Sequence, residues 1–157
     1  MRRNDREITD INEICGIILK CDVCRIALNN KGFPYVIPLN FGYCVQNGKI
    51  TLYFHGAAEG TKHELIAADN RTGFEMDCSH RLVLDSVKGS CTMEYQSVAG
   101  TGMITPVTDD EEKYRALCHI MKHYRSGDFP INKPLISKTA VFMLTVEQIT
   151  AKSHIVK

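Results

Sequence analysis

Seven stretches of the chain resemble β-strands, because apolar and polar residues alternate with a period of two along most of them and residues 82–84 form a short apolar piece. The stretches are residues 23–28, 35–43, 52–55, 72–77, 82–84, 90–107 and 139–146. Two intervening segments, 29–32 and 46–49, contain the asparagines and glycines that tolerate positive φ in tight turns. Because short turns join antiparallel strands, the pattern predicts six or seven strands in hairpin-like succession.

Three segments combine capping residues with apolar positions at helical spacing, which predicts helices. The first begins after Thr9 or Asp10 and ends near Lys20. The second begins with the capping-box spacing of residues 61–64 and ends before residue 69, and the third begins at the acidic box 108–111. The third helix carries one apolar stripe, whose members are Tyr114, Leu117, Cys118, Met121 and Tyr124.

The longer predicted strands contain residues that interrupt a flat sheet. Pro34 and Pro38 lack the N–H group that a central strand needs, so their strand lies at an edge or is interrupted. Gly100 and Gly102 predict a bulge or a strong bend in the stretch 90–107. A sheet that must curve closes most simply into a barrel. We therefore predict one α+β domain over residues 1–157, with a small antiparallel β-barrel and flanking helices.

The stretch 52–66 joins a strand to a helix through a loop that glycines interrupt. His55 ends the strand, Gly56 and Gly60 break it, and Lys62 lies in the first helical turn. Free N–H groups at a helix start, together with a lysine charge, attract anions, so the stretch predicts a phosphate site with a histidine nearby. The loop lacks the complete patterns of known nucleotide-binding loops. The same residues also fit an ordinary strand–helix joint with a solvated lysine and a structural histidine.

Composition and charge narrow the class of protein. The chain of 157 residues is 44% hydrophobic and 24% charged, which is typical of a folded globular domain. Its formal net charge of +1 argues against a nucleic-acid surface, which would be strongly basic. No apolar run approaches the ~20 residues that span a membrane, and the N-terminal residues do not resemble a signal peptide. We therefore expect a cytoplasmic protein without a nucleic-acid or membrane partner.

Seven cysteines are scattered along the chain, an odd number that favours reduced, partly buried thiols. The pair Cys21 and Cys24, with Cys78 and His80, also suggests a metal site. A structural zinc site usually needs two such pairs, so buried thiols are the better interpretation and no metal is expected. No GxSxG motif is present, and no cysteine lies in an evidently electropositive loop, so nucleophilic catalysis is not predicted.

Several motifs, taken in order, resemble the flavin-binding split barrels related to pyridoxamine 5′-phosphate oxidase, and within them the nim-type 5-nitroimidazole resistance proteins. The matching segments cover nearly the whole chain. They are residues 1–3 with 5–7, the segment 34–43, Tyr53-Phe54-His55-Gly56-Ala57 with Gly60-Thr61-Lys62, the run from Tyr95 and Ser97 to Gly102, and the acidic helix start at 109–113. Cys24 and Arg25 depart from the small or apolar residues usual in relatives. Arg25 therefore has three possible roles: contact with a phosphate, contact with a partner subunit, or solvation.

The resemblance implies a homodimer of six-stranded antiparallel split barrels that binds a flavin, usually FMN and possibly FAD, in each of two interface clefts. Lys62 and neighbouring backbone groups would contact the flavin phosphate, and His55 would lie near the reacting centre as the catalytic residue. The other cofactor-binding residues implied by the resemblance are Pro38, Leu39, Asn40, Gly56, His63, Tyr95 and Ser97.

The same resemblance implies an FMN-dependent oxidoreductase that reduces the nitro groups of small nitroimidazole-type substrates. Reduction of a nitro group needs protons as well as electrons, and the imidazole of His55 can supply protons near neutral pH. Because split-barrel relatives also include proteins that store flavin or handle haem, the alternative is a flavin- or haem-binding protein without nitroreductase activity.

Overall fold

The computed structural model describes residues 4–127 and 129–156, so the predicted motif at residues 1–3 lies outside the described residues. A 3-10 turn at Asn4–Arg6 precedes eight strands and four helices. The strands are β1 (Glu7–Ile8), β2 (Cys24–Leu28), β3 (Tyr35–Leu39), β4 (Phe41–Gln46), β5 (Lys49–Gly56), β6 (Arg71–Asp85), β7 (Ser90–Val107) and β8 (Ala140–His154). The helices are α1 (Ile11–Ile18), α2 (Thr61–Ala68), α3 (Asp110–Tyr124) and α4 (Lys133–Ile136).

The strands form one antiparallel sheet in the order β3-β2-β6-β7-β8-β5-β4, and β1 pairs with β8. The strands at the two ends of this order, β3 and β4, follow each other in the chain with only Asn40 between them. Since consecutive Cα atoms lie 3.8 Å apart, the ends of the sheet are held within about 8 Å of each other, and the sheet must curl. The α+β class and the antiparallel split barrel are therefore confirmed, with eight strands instead of six.

Two strands are longer than the sequence pattern predicts. Residues 72–77 and 82–84 belong to one strand, β6, whose register shifts between Cys78 and Arg81. Ser79 has a positive φ of 60° in this bulge, which breaks the alternation that marks a continuous strand. β8 continues to His154 instead of ending near residue 146. Thr101 pairs with Gln148 and Gly102 with Val146, so Glu147 has no partner on β7 and interrupts the alternation along β8.

Glycines in β7 allow two strands to approach closely. A Cβ atom at Gly100 would collide with the carbonyl oxygen of Gln148, and one at Gly102 would collide with that of Thr145. The bulge predicted from these glycines is seen as a register shift between Thr101 and Gly102, where β7 pairs with β8.

The barrel interior is filled by side chains from the strands and by α1. Asp10 caps α1 by accepting hydrogen bonds from the amides of Asn12 and Glu13, as the sequence predicts. The fully buried large side chains of the core are Phe41, Phe54, Ile18, Ile26, Leu28, Leu52, Met76, Ile104 and Leu144. One hydrophobic cluster therefore joins the sheet to α1.

Helix α3 packs on the outer face of β4, β5 and β8. Its buried residues are Ala116 and Ile120, whereas Tyr114 and Tyr124 of the predicted stripe are 37% and 41% exposed. The predicted apolar stripe is therefore displaced from the buried face, although its member Leu117 packs against the core. The reason is Gly42, because a Cβ atom there would collide with the backbone of His119 and Ile120. The helix approaches the sheet too closely for large side chains at the point of contact.

Candidate functional site

The loop between β5 and α2 follows Gly56, and His55, one residue before the end of β5, lies on the outer face of the barrel. Leu52 and Phe54 are buried, while His55 is exposed and pairs with Val141 of β8. The predicted alternation of faces is thus confirmed. The side chain of His55 makes no hydrogen bond, ion pair or ring contact with any residue that the structure describes. Its imidazole therefore remains available to a ligand.

Two cationic or polar side chains converge on one carbonyl oxygen in this loop. The Nζ atom of Lys62 donates to the carbonyl of Ala57 at 3.1 Å, and Nε2 of His63 lies 2.9 Å from the same oxygen. The stem of Lys62 passes over Gly56, where a Cβ atom would lie 3.2 Å from its Cε. The ring of His63 also contacts Phe142, with 5.1 Å between ring centroids. The loop is therefore fixed by the residues that were predicted to bind phosphate.

The start of α2 differs from the predicted capping box. The N-cap residue is Gly60, with φ at 124°, and no side chain caps the helix. The prediction that Thr61 and Glu64 cap each other is wrong, because only glycine adopts this backbone conformation readily and the helix begins one residue earlier. The amide of His63 donates to the carbonyl of Gly60, and since no side chain satisfies the amides of Thr61 and Lys62, those two remain available to an anion.

The junction between β3 and β4 lies beside His55. Phe41 pairs with Phe54, so the next position in this register places Asn40 opposite His55. Asn40 is exposed, and its Nδ2 atom donates to the carbonyl of Asp22 at 3.4 Å, which leaves its Oδ1 atom unused. The register therefore brings Asn40, His55 and the loop to one end of the sheet.

Tyr124 holds this junction and was missed as a site residue in the sequence. Its hydroxyl donates to the carbonyl of Asp22 at 2.7 Å and accepts from the amide of Phe41 at 3.0 Å. The neighbouring His123 contacts the carbonyl of Cys21 through Nε2 at 2.8 Å. No local sequence signal marks these contacts, because they join segments about a hundred residues apart.

Pro38 and Ser97 lie on the outer face of the barrel but on different strands. Pro38 pairs with Arg25, which pairs with Glu75, and Ser97 lies on β7 opposite Asp77. At about 4.8 Å per strand, the two residues are roughly 14 Å apart across the sheet. Pro38 lies on an edge strand, as predicted. The side chain of Leu39, which follows Pro38 in the chain, packs against the core.

Arg25 is committed to two carboxylates of the same chain. Its Nη1 atom lies 2.7 Å from Asp77 and 3.3 Å from Glu75. Desolvation, reinforced by the charge of Asp77, raises the pKa of Glu75, and Arg25 opposes that rise. The contacts of Arg25 in this chain are therefore intramolecular ion pairs on a half-exposed surface, a role apart from the three considered in the sequence.

Tyr95 is far from His55 within one chain. It pairs with His154, and the guanidinium of Arg6 lies 6.0 Å from the centre of its ring. The residue of β7 level with His55 is Val107, because both pair with Val141. Twelve residues of strand, about 40 Å at 3.3 Å per residue, separate Tyr95 from that position. Along β7, Tyr95 and Ser97 therefore lie twelve and ten positions from the residue that is level with His55.

Open space adjoins the loop on the side of α2. A cavity of about 360 Å³ lies between α2 and the strands β7 and β8, with His63 at its rim. Asn70 and Thr105 supply polar groups, and Pro106 and Phe142 supply apolar walls. This mixed lining suits a partly aromatic ligand held by a few polar contacts.

The cysteines that were weighed as a possible metal site belong to the hydrophobic core, with Cys78 partly buried against it. Cys21 and Cys24 are buried, and burial raises the pKa of both thiols, in Cys21 with a further contribution from Cys78. Over residues 4–127 and 129–156, no group of three or more histidine, cysteine or acidic side chains gathers where it would hold a metal ion. The same residues include no helix long and apolar enough to cross a membrane.

Comparison with known proteins identifies the family and the fold of the chain. A family model described as pyridoxamine 5'-phosphate oxidase matches residues 10–153. A candidate 5-nitroimidazole antibiotic resistance protein from Bacteroides thetaiotaomicron is 34% identical, with 93% of this chain and 85% of that chain covered and a TM-score of 0.81. No curated protein matches the chain.

Two more distant structures share the fold. The flavocytochrome Anf3 from Azotobacter vinelandii is 18% identical, with 99% of this chain and 72% of that chain covered and a TM-score of 0.79. An FAD and heme binding protein from Mycobacterium smegmatis is 16% identical, with 94% and 73% covered and a TM-score of 0.77. From the family match and the 34% identical relative together, the chain belongs to the pyridoxamine 5'-phosphate oxidase family.

Proposed function

We propose that the protein is an FMN-dependent oxidoreductase that reduces nitro groups of the nitroimidazole type, with the whole chain acting as one flavin-binding domain. The observation that carries the proposal is the segment from His55 to His63, in which Lys62 donates to the carbonyl of Ala57 and α2 starts at Gly60 without a side-chain cap. The names of the three relatives, which mention nitroimidazole resistance, a flavocytochrome and FAD binding, support a flavin.

The donors in this loop fit a flavin phosphate. A lysine ammonium has three N–H groups, of which Lys62 uses one on Ala57, so two remain for phosphate oxygens. The first amides of α2 and the positive end of its dipole add further donors for a dianion. The same donors would hold the phosphates of FAD, and FMN is proposed because it is the usual flavin of the split barrels that the chain resembles.

In this proposal the residues beside the loop act on the substrate. When bound, the flavin supplies an electron pair to the nitro group. The exposed imidazole of His55 holds a proton on a ring nitrogen and delivers it to a nitro oxygen. Asn40 accepts a hydrogen bond through Oδ1 and so orients a planar ligand against the β3–β4 junction.

A second copy of the chain completes the site in this proposal. Tyr95 and Ser97 lie far from His55 along β7, so they reach the flavin only from a partner subunit. A homodimer with two shared clefts follows. The alternative function is flavin or haem binding without nitro reduction, which the names of the flavocytochrome and the FAD and heme binding protein favour.

The test begins with what the purified protein binds. Flavin bands in the absorption spectrum, with a thermal midpoint raised by added FMN, support the proposal, and a Soret band supports the haem alternative. A colourless protein whose midpoint FMN leaves unchanged contradicts both.

Two matched pairs of variants then test the residues. Lys62→Ala should weaken FMN binding at least ten-fold, whereas Lys138→Ala, at an exposed lysine, should not. His55→Ala should retain FMN but slow reduction of a nitroimidazole, whereas His80→Ala should not. Wild-type turnover in His55→Ala contradicts the catalytic role of His55.

A further inference from the structure

A second cavity lies away from the loop. It measures about 320 Å³ and is enclosed by the end of α1, by β4 and by the C-terminal half of α3. Leu19 and Val45 at its rim are 57% and 41% exposed, which leaves apolar surface in contact with water. Tyr43 and His123 supply aromatic walls. None of the residues from 55 to 63 lines this cavity, so it is separate from the proposed flavin site.

Two polar side chains enter this cavity without partners. The ammonium of Lys122 makes no ion pair or hydrogen bond within residues 4–127 and 129–156. His119 stacks on Tyr53, with ring centroids 5.2 Å apart and an angle of 10°, and its nitrogens have no hydrogen-bond partner in the same described ranges. Burial lowers the pKa of His119, and the charge of Lys122 lowers it further, so both favour the neutral imidazole.

The lining selects the charge of a ligand. A cation and a neutral imidazole face the cavity, and no aspartate or glutamate is among its lining residues. A carboxylate placed here would gain a charge-assisted hydrogen bond from Lys122 and a second one from an N–H of His119. An aromatic ring attached to that carboxylate would cover the exposed parts of Leu19 and Val45 and contact the ring of Tyr43.

We propose that this cavity is a second binding site, for a small planar organic anion of the aromatic carboxylate class. Its volume lies at the lower end of the range for small-molecule sites, so it admits a single substituted ring. The inference does not depend on flavin binding, because it rests on residues of α1, β4 and α3 alone.

A neighbouring cavity must be separated from this one in the test. Lys122 also lines a cavity of about 670 Å³ on the other side, together with Met121 and Phe129. A variant of Lys122 alone would not distinguish the two. Val45 lines only the smaller cavity, and Met121 lines only the larger one, so they provide the matched pair.

The experiment titrates the full chain with benzoate, with and without saturating FMN, and follows backbone amide NMR shifts. We expect saturable shifts at residues 43–45 and 119–123, with a Kd of about 1 mM for so small a ligand. Benzyl alcohol, which lacks the charge, should bind at least ten-fold more weakly. Lys122→Ala should weaken benzoate binding at least ten-fold, and Lys138→Ala should leave it unchanged.

The blocking variants decide where benzoate binds. Val45→Trp, which fills the smaller cavity from its exposed rim, should abolish binding, whereas Met121→Trp should not. Circular dichroism confirms that each variant is folded. Shifts confined to residues around Phe129, unsaturable shifts, or equal binding of benzoate and benzyl alcohol would each overturn the proposal.

Discussion

The two halves of the outer face of the barrel differ in the contacts that cover them. On the half formed by β4, β5 and β8, helix α3 lies so close that its backbone touches the position of Gly42. On the half formed by β2, β6 and β7, the side chains of Arg25 and Glu75 are 47% and 42% exposed beside the small residue Gly73. The first half is stabilised by close packing of the helix on the sheet. The second half is held by solvent-exposed ion pairs, which contribute far less to stability.

The largest expected effect is therefore the difference in the free energy of unfolding between the same glycine-to-alanine substitution in the two halves. Gly42→Ala places a methyl group against the backbone of His119 and Ile120, which no side-chain movement can relieve. We expect a loss of about 3 kcal/mol or more in the free energy of unfolding, with lower soluble yield. Chemical denaturation measures the loss.

The control is the same substitution in the exposed half. A Cβ atom at Gly73 would meet the Cβ of Ala27 at 3.9 Å, an ordinary contact, so Gly73→Ala should change stability by less than about 1 kcal/mol. Equal losses in the two variants would show that the halves do not differ in packing.

The Gly42 contact also shows which features could be predicted from the sequence. The pattern of α1, the alternation of β5 and the edge position of Pro38 are local properties, and the structure confirms them. Other features depend on contacts that do not follow the strand or helix period. They are the buried face of α3, the bulge within β6, and the hydrogen bonds of Lys62 and His63 to the carbonyl of Ala57. The spacing of apolar residues cannot reveal such contacts, because they do not recur at a fixed interval in the sequence.

The candidate site divides in the same way. His55 and Lys62 were identified by a local strand–loop–helix pattern, together with a family resemblance, and they lie at one loop. Tyr124 was found only in the structure, because its hydroxyl joins Asp22 to Phe41 across the chain. Whether Tyr95 and Ser97 take part depends on a partner subunit, which the pattern of a single chain does not describe.

The second expected effect concerns Tyr124, whose hydroxyl holds the junction between β3 and β4. Tyr124→Phe removes a hydroxyl that serves as donor and acceptor, so the carbonyl of Asp22 loses one hydrogen bond and the amide of Phe41 loses its side-chain acceptor. We expect a loss of about 1 to 2 kcal/mol in stability. If the proposed flavin site is correct, FMN should also bind more weakly, because Asn40 is less well held.

Tyr35→Phe is the matched control, since the hydroxyl of Tyr35 has no hydrogen-bond partner among residues 4–127 and 129–156. Its stability should match that of the wild type. A Tyr124→Phe variant as stable as this control would mean that the junction holds its shape without the hydroxyl.

A third effect concerns the one strongly buried carboxylate of β7. Glu94 accepts hydrogen bonds from Arg81 at 2.6 and 2.8 Å and from the amide of Val156, and these contacts lower its pKa to about 2. Because the pKa is lowered in the folded state, the stabilisation is complete above the ordinary value of about 4.3 and is lost as the pH falls toward 2.

Glu94→Gln should therefore flatten the fall of the thermal midpoint between about pH 4.5 and pH 2. Glu147→Gln, at an exposed position on β8, should leave that slope unchanged. Equal slopes in the wild type and both variants would show that other carboxylates govern acid unfolding.

The smallest effect is expected at the centre of the charged half. Arg25→Met removes the ion pairs with Asp77 and Glu75, but these side chains are 31% to 47% exposed, and water screens such pairs. The loss should be below about 1 kcal/mol and should shrink further in 1 M salt, where the Debye length is about 3 Å. Denaturant midpoints at low and high salt measure both quantities. A loss comparable to that of Gly42→Ala would mean that charge, and not shape, holds this barrel together.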